Sequence, residues 1–67
     1  MIKQLDLHGL KHEEAQRQVE NFVLLNKPPL SIVTGNSGMM RDIVEVICTK
    51  HGIFYERWDW GEIKILK

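Results

Sequence analysis

The sequence contains one cysteine and lacks both an excess of charge of either sign and a long hydrophobic run. Cys48 has no second cysteine to pair with, so an internal disulfide is excluded and the spacing of a zinc finger is absent. No apolar run approaches the roughly 18 residues that cross a bilayer, and residues 1–4 do not resemble a signal peptide. We therefore expect a cytoplasmic protein that folds in the reduced state and has no membrane partner.

The charge balance limits the ways in which this chain can bind other molecules. Nine Lys and Arg residues offset nine Asp and Glu residues, so the formal net charge is zero. A neutral chain does not bind nucleic acid by bulk electrostatic attraction as a histone-like protein does. The composition does not exclude a local basic patch. The 67 residues allow a single domain, residues 1–67, whose functional groups must lie on its surface.

Hydrophobic periodicity predicts the element order β-α-β-α-β-β. The predicted strands span residues 2–7, 30–34, 53–58 and 62–66. A first helix begins near Lys11 and stops before Pro28 and Pro29, and a second begins after the N-cap candidate Ser37 and ends at residues 51–52. Residues 59–61 form a tight turn that should pair the last two strands as a hairpin.

This order predicts a fold of the α/β class in the broad sense, and its architecture is expected to be an α+β two-layer sandwich. Right-handed crossovers place both helices on one face of a four-stranded mixed sheet. The opposite face of the sheet is then open to solvent or covered by a partner. The apolar stripe of the second helix includes Cys48, which is expected to be a small core residue.

Asp6 and His8 are the first candidates for chemistry. They lie two residues apart and therefore share one face of an extended strand, opposite Leu5 and Leu7. A histidine can act as general acid or base near neutral pH, and the carboxylate of Asp6 can orient the ring or bind a cation such as Mg²⁺ or Mn²⁺. The alternative is that both side chains simply belong to a solvated face.

A glycine-rich loop is the second candidate. Gly35, Asn36, Ser37 and Gly38 precede the second helix, and two glycines would allow positive φ and the close approach of a phosphate to helix amides. Arg41, in the first turn of that helix, could reach the same phosphate. Loops before helices are also rich in such residues for turn geometry alone.

The two tryptophans lie near the predicted hairpin turn. At least one of Trp58 and Trp60 should be exposed, because a turn tip has little core to enter. An exposed tryptophan can stack on an unpaired base or anchor a protein contact, and the alternative is that it covers the sheet edge.

The segment LDLHGL at residues 5–10, followed by a helix containing Glu14 and Ala15, resembles the opening motif of the Smr (small MutS-related) domain family. Residues 34–37, TGNS, stand where that family carries a second motif, usually Thr-Gly-x-Gly or His-Gly-x-Gly. Residues 40–41 and 61–65 also fit. The resemblance covers nearly the whole chain, as expected of a free-standing, minimal member.

The resemblance implies a fold similar to the C-terminal domain of bacterial translation initiation factor three. It also implies binding of branched or structured DNA or RNA, with nicking or endonuclease activity in many members. By position, Asp6 and His8 match the residues associated with cleavage, Gly9 the motif glycine, and Thr34 and Gly35 the second loop. Ser37 departs from the family, which usually has glycine there.

Two main hypotheses follow. The first is a structure-selective nicking endonuclease in which Asp6 and His8 are catalytic. The second is a non-catalytic nucleic-acid-binding module, with protein docking or attachment to a host complex as a further alternative. The predicted phosphate- and nucleic-acid-binding residues are Gly9, Thr34, Gly35, Asn36, Ser37, Gly38, Arg41 and Trp60.

Overall fold

The structure is a computed structural model and describes residues 2–67, so Met1 of the predicted domain lies outside the described residues. The predicted order β-α-β-α-β-β is confirmed. The strands are β1 (Lys3–Asp6), β2 (Leu30–Val33), β3 (Glu56–Asp59) and β4 (Glu62–Ile65), and the helices are α1 (His12–Leu25) and α2 (Gly38–Lys50).

The four strands form one mixed sheet in the order β1-β2-β4-β3. β1 and β2 are parallel, and β4 pairs antiparallel with both β2 and β3. A parallel neighbour requires a crossover, which α1 provides, whereas β3 and β4 are joined by a short turn. The predicted hairpin and the predicted mixed sheet are both present.

A single hydrophobic cluster joins the sheet to both helices. Alternation along β2 and β4 directs Leu30, Ile32, Ile63 and Ile65 to one face of the sheet, where each is at most 1% exposed. The helices add a stripe each, which consists of Ala15, Val19 and Val23 from α1 and Met40, Val44, Ile47 and Cys48 from α2. The chain is therefore a two-layer α+β domain with both helices on one face. Burial raises the pKa of the Cys48 thiol to about 11, as expected of the predicted core residue.

The predicted start of the third strand is wrong. β3 begins at Glu56, which pairs with Lys64, and not at Ile53. Ile53 and Tyr55 pack against the core while Phe54 is 75% exposed, so these residues alternate like a strand without strand pairing. The other predicted strand boundaries lie within one residue of the observed ones.

The opposite face of the sheet is polar. Ser31 donates a hydrogen bond to the Glu62 carboxylate and accepts one from Gln4 Nε2 at 3.4 Å. The Lys64 ammonium lies 4.3 Å from the centre of the Trp58 ring. Within residues 2–67, neither helix combines the length and the apolar character that a membrane crossing requires.

Candidate functional site

The parallel pairing of β1 and β2 brings two loops to one edge of the sheet. Asp6 pairs with Val33, and the Leu7 amide donates to the Val33 carbonyl oxygen at 2.9 Å. Residues 6–9 and residues 34–38 therefore leave neighbouring strands at the same end, which is where ligands gather in sheets with parallel strands. We call these two segments the sheet-edge site.

Asp6 and His8 are held together at this edge. One carboxylate oxygen, Asp6 Oδ1, accepts from the His8 backbone amide at 2.9 Å and lies 2.8 Å from His8 Nδ1. The hydrogen bond from the backbone amide has the largest effect, followed by the contact with the ring. Together they hold the pKa of Asp6 below its ordinary value, so the carboxylate is ionised at neutral pH. An ionised carboxylate only accepts, so Nδ1 carries the hydrogen and Nε2 is the free ring nitrogen of neutral His8. Both side chains are more than half exposed.

The His8 ring packs against the backbone of Gly35. A Cβ atom on residue 35 would lie 2.7 Å from His8 Nε2 and 3.3 Å from Cδ2. Gly35 also has φ +66°, a conformation that side-chain-bearing residues rarely adopt. Gly35 thus meets two separate requirements, and it places the free nitrogen of His8 beside the glycine-rich loop.

Gly61 is a part of the site that the sequence does not reveal. Its carbonyl oxygen accepts from the amides of Thr34 at 2.7 Å and Gly35 at 3.2 Å. A Cβ on Gly61 would lie 3.0 Å from the Gly35 Cα. The hairpin turn therefore packs against the glycine-rich loop and fixes the position of its backbone. The sequence marks Gly61 as a turn residue and as part of the segment that fits the motif resemblance. It does not reveal the contact with Gly35, which depends on the pairing of strands distant in the chain.

Two of the predicted loop residues, Thr34 and Ser37, have hydrogen-bond partners within the chain. Thr34 is 3% exposed, and its hydroxyl donates to the Gly35 carbonyl oxygen at 3.1 Å, so it faces the chain. Ser37 Oγ accepts from the Met40 amide at 3.1 Å, which is the predicted N-cap, and its φ of −84° does not require glycine. Gly38 begins α2 without positive φ, so the expectation of positive φ at two loop glycines holds only for Gly35.

α2 begins directly at the end of the glycine-rich loop of the sheet-edge site. Ser37 satisfies the third amide of this helix, and the first two amides, those of Gly38 and Met39, have no acceptor within the helix. Asn36 and Gly38 are exposed beside them. Gly9, with φ +78° and no atom near a Cβ placed on it, turns the chain away from β1 towards α1.

Arg41 and Trp60 lie next to the sheet-edge site. The sequence predicts that Arg41 shares a phosphate with the loop, whereas its observed hydrogen bond runs from Nη2 to the Trp60 carbonyl oxygen at 2.6 Å. A cavity of about 310 Å³ is present here, which we call the Trp-Arg cavity and which is lined by Arg41, Arg57, Trp58, Asp59 and Trp60. Trp58 is 56% and Trp60 79% exposed, as expected for at least one of them.

The sheet-edge site offers few ligands for a metal ion. Among residues 2–67 no group of three or more His, Cys, Asp or Glu side chains is placed to hold one. Asp6 Oδ1 already accepts two hydrogen bonds from His8, which leaves Oδ2 as the free carboxylate oxygen. Mg²⁺ and Mn²⁺ prefer several oxygen ligands, so these residues do not fit a metal held by protein side chains alone.

Comparisons of the chain with protein-family models, with curated proteins and with solved structures find no match.

Proposed function

We propose that this chain is an Smr-like domain that binds branched or structured DNA or RNA and cleaves a phosphodiester bond in it. The observation that carries the proposal is the 2.8 Å contact between Asp6 Oδ1 and His8 Nδ1, with the other edge of the ring against Gly35. A carboxylate that orients an imidazole whose second nitrogen faces a loop is the arrangement used for general acid-base catalysis.

In the proposed reaction His8 moves the proton and Asp6 positions it. The free Nε2 accepts a proton from the attacking hydroxyl or water, and the resulting imidazolium is stabilised by the ionised carboxylate of Asp6. The same imidazolium can then donate its Nε2 proton to the leaving oxygen. Because the Asp6 carboxylate also holds the His8 amide, the ring has a fixed position relative to its own backbone.

The phosphate is proposed to lie over the start of α2. The amides of Gly38 and Met39 and the positive end of the helix dipole suit an anion. Asn36 is exposed and precedes the helix by two residues. Thr34 and Ser37 contribute by shaping the loop, since their hydroxyl groups bond to the backbone. No step of this mechanism is assigned to a metal ion.

A non-catalytic binding module is the second candidate, and two observations favour it. Asp6 and His8 are open to solvent, so they lack the desolvation that strengthens electrostatic catalysis. The net charge is zero, which suggests that a protein partner or host complex supplies further affinity.

In either version we place the protein in the cytoplasm, where a buried, unpaired thiol such as that of Cys48 stays reduced.

A cleavage assay separates these candidates. Branched DNA and structured RNA are incubated with the protein in Mg²⁺, in Mn²⁺ and in chelator, using wild type, Asp6→Asn and His8→Ala. His12→Ala is the matched control, because His12 is exposed and lies on α1 outside the site. The proposal expects cleavage that His8→Ala lowers by about 10²–10⁴-fold and His12→Ala leaves unchanged. Equal cleavage by His8→Ala would refute the mechanism, and salt-sensitive binding without cleavage would select the second candidate.

A further inference from the structure

We propose that the Trp-Arg cavity binds one unpaired nucleotide, adjacent in the strand to the phosphate at the sheet-edge site. This inference rests on the proposed function and names the substrate feature recognised, which is a single-stranded nucleotide beside a structured segment. The cavity has a volume of about 310 Å³ and is largely open to solvent, so a bound base would stay partly exposed.

Trp60 provides the stacking surface. Its side chain is 79% exposed at the tip of the hairpin, and among residues 2–67 the indole ring has no hydrogen-bond partner. The Trp58 ring is already engaged by the Lys64 ammonium, 4.3 Å from its centre. Every nucleobase has an apolar π-face that stacks on an indole, and stacking of this kind tolerates any sequence.

Arg41 provides the charge for one phosphate. It donates to the neutral carbonyl of Trp60, and a guanidinium has four further N–H donors. Glu45 is near enough for its carboxylate to interact with the charge of Arg41, but its shortest hydrogen bonds come from Arg57. Arg57, by contrast, is paired with Glu45 through Nε at 2.6 Å and Nη2 at 3.0 Å. Asp59 also lines the cavity, and its carboxylate accepts from the Trp60 amide at 2.7 Å.

This distribution of charge argues against a surface that follows a long backbone. The charge of Arg57 is balanced by Glu45, and Asp59 adds a carboxylate to the lining, so bulk attraction for a polyanion is weak. Recognition would then depend on the stacked base, with one phosphate paired to Arg41. The cavity therefore suits a single nucleotide better than a double helix, whose base faces are already stacked.

The cavity and the sheet-edge site share a backbone connection. Arg41 holds the Trp60 carbonyl, and the next carbonyl, that of Gly61, holds the Gly35 amide. Gly35 in turn contacts the His8 ring. The proposal places the phosphate beside His8 and the neighbouring, unpaired nucleotide of the same strand at Trp60.

Binding to labelled hairpins tests the inference. The probes are a blunt DNA hairpin, the same hairpin with a single-stranded overhang at its 5′ or 3′ end, and the three corresponding RNA hairpins. We expect wild type to bind at least one overhang hairpin about fivefold or more tighter than the blunt one. Trp60→Ala should abolish this preference and Trp60→Phe should retain much of it. Phe54→Ala is the matched control, since Phe54 is equally exposed and lies outside the cavity.

The outcomes distinguish failure of the nucleotide site from failure of the proposed function. If wild type has no overhang preference, or if Trp60→Ala keeps it while remaining folded by circular dichroism, the inference is wrong although the proposed function stands. If wild type binds neither kind of hairpin, the proposed function fails too, and a protein partner becomes the explanation for the exposed tryptophans. The DNA and RNA series show which backbone is preferred.

Discussion

The His8 ring lies so close to Gly35 that a methyl group on residue 35 would be 2.7 Å from Nε2. The contact joins the end of β1 to the loop after β2, and it brings the proposed base and the proposed phosphate site together. Because Gly35 also has φ +66°, its replacement should affect both stability and function.

Gly35→Ala should therefore differ from a substitution that has only the backbone cost. Gly52 is the matched control, since it has φ +67° with no atom near a Cβ placed there. Urea unfolding should show a loss of about 1–2 kcal/mol for Gly52→Ala and a larger loss for Gly35→Ala. Cleavage should fall about a hundredfold only for Gly35→Ala, as expected for a shift of about 1 Å in His8. Equal losses in stability with unchanged cleavage would contradict the contact.

Ser37 allows a test of its departure from the usual motif glycine. Its hydroxyl caps α2 by accepting from the Met40 amide. Ser37→Ala should lower the free energy of unfolding by about 1 kcal/mol, and Ser37→Gly by only a few tenths. Nucleic-acid affinity, measured by fluorescence anisotropy, should be nearly unchanged for Ser37→Gly. A strong gain in cleavage with glycine would mean that serine impairs the site.

Arg41 should contribute one phosphate contact. Arg41→Ala should weaken nucleic-acid binding and reduce the slope of log affinity against log salt by about 0.7–0.9. Arg17→Ala is the charge-matched control, because Arg17 is exposed on α1. Titrations at several salt concentrations measure both slopes. Equal slopes for the two variants would show that Arg41 makes no phosphate contact and serves only to hold the hairpin turn.

Glu45 should make part of the stability dependent on pH. The bonds from Arg57 hold the pKa of the Glu45 carboxyl below its ordinary value, so the folded form binds its proton less readily than the unfolded form. The contribution of Glu45 to the free energy of unfolding is therefore complete above the pKa of the unfolded form, about 4.3. It is lost as the pH falls through the lower pKa of the folded form.

The matched measurement is urea unfolding of wild type and Glu45→Gln at neutral pH and at about pH 3. Wild type should be more stable by about 0.5–1 kcal/mol at neutral pH, since Arg57 is largely exposed. This difference should shrink on acidification. A difference that grows towards low pH would reverse the assigned sign.

The sequence predicts the fold well because its signals are local. The apolar stripe of α2, the Ser37 cap and the alternation of Ile63 and Ile65 each depend on neighbours in the chain. The start of β3 is missed for the same reason, because alternation reports burial of Ile53 and Tyr55 but not strand pairing.

The candidate site is only partly predictable. Asp6 and His8 share a strand face, so their proximity follows from spacing alone. The approach of His8 to Gly35, the support from Gly61 and the bond from Arg41 to Trp60 join residues far apart in sequence. These contacts depend on the sheet order and on differences of a few tenths of an ångström in packing distance. No local sequence pattern contains that information.

The central position of β4 has a consequence for how the domain forms. β4 follows every other strand in the chain, yet it lies between β2 and β3 and contributes Ile63 and Ile65 to the core. Folding must therefore wait for contacts of long sequence separation, which slow the search for the native state. Gly61 enters with the same hairpin, so a chain still emerging from the ribosome would lack the support beneath Gly35 until synthesis had passed β4.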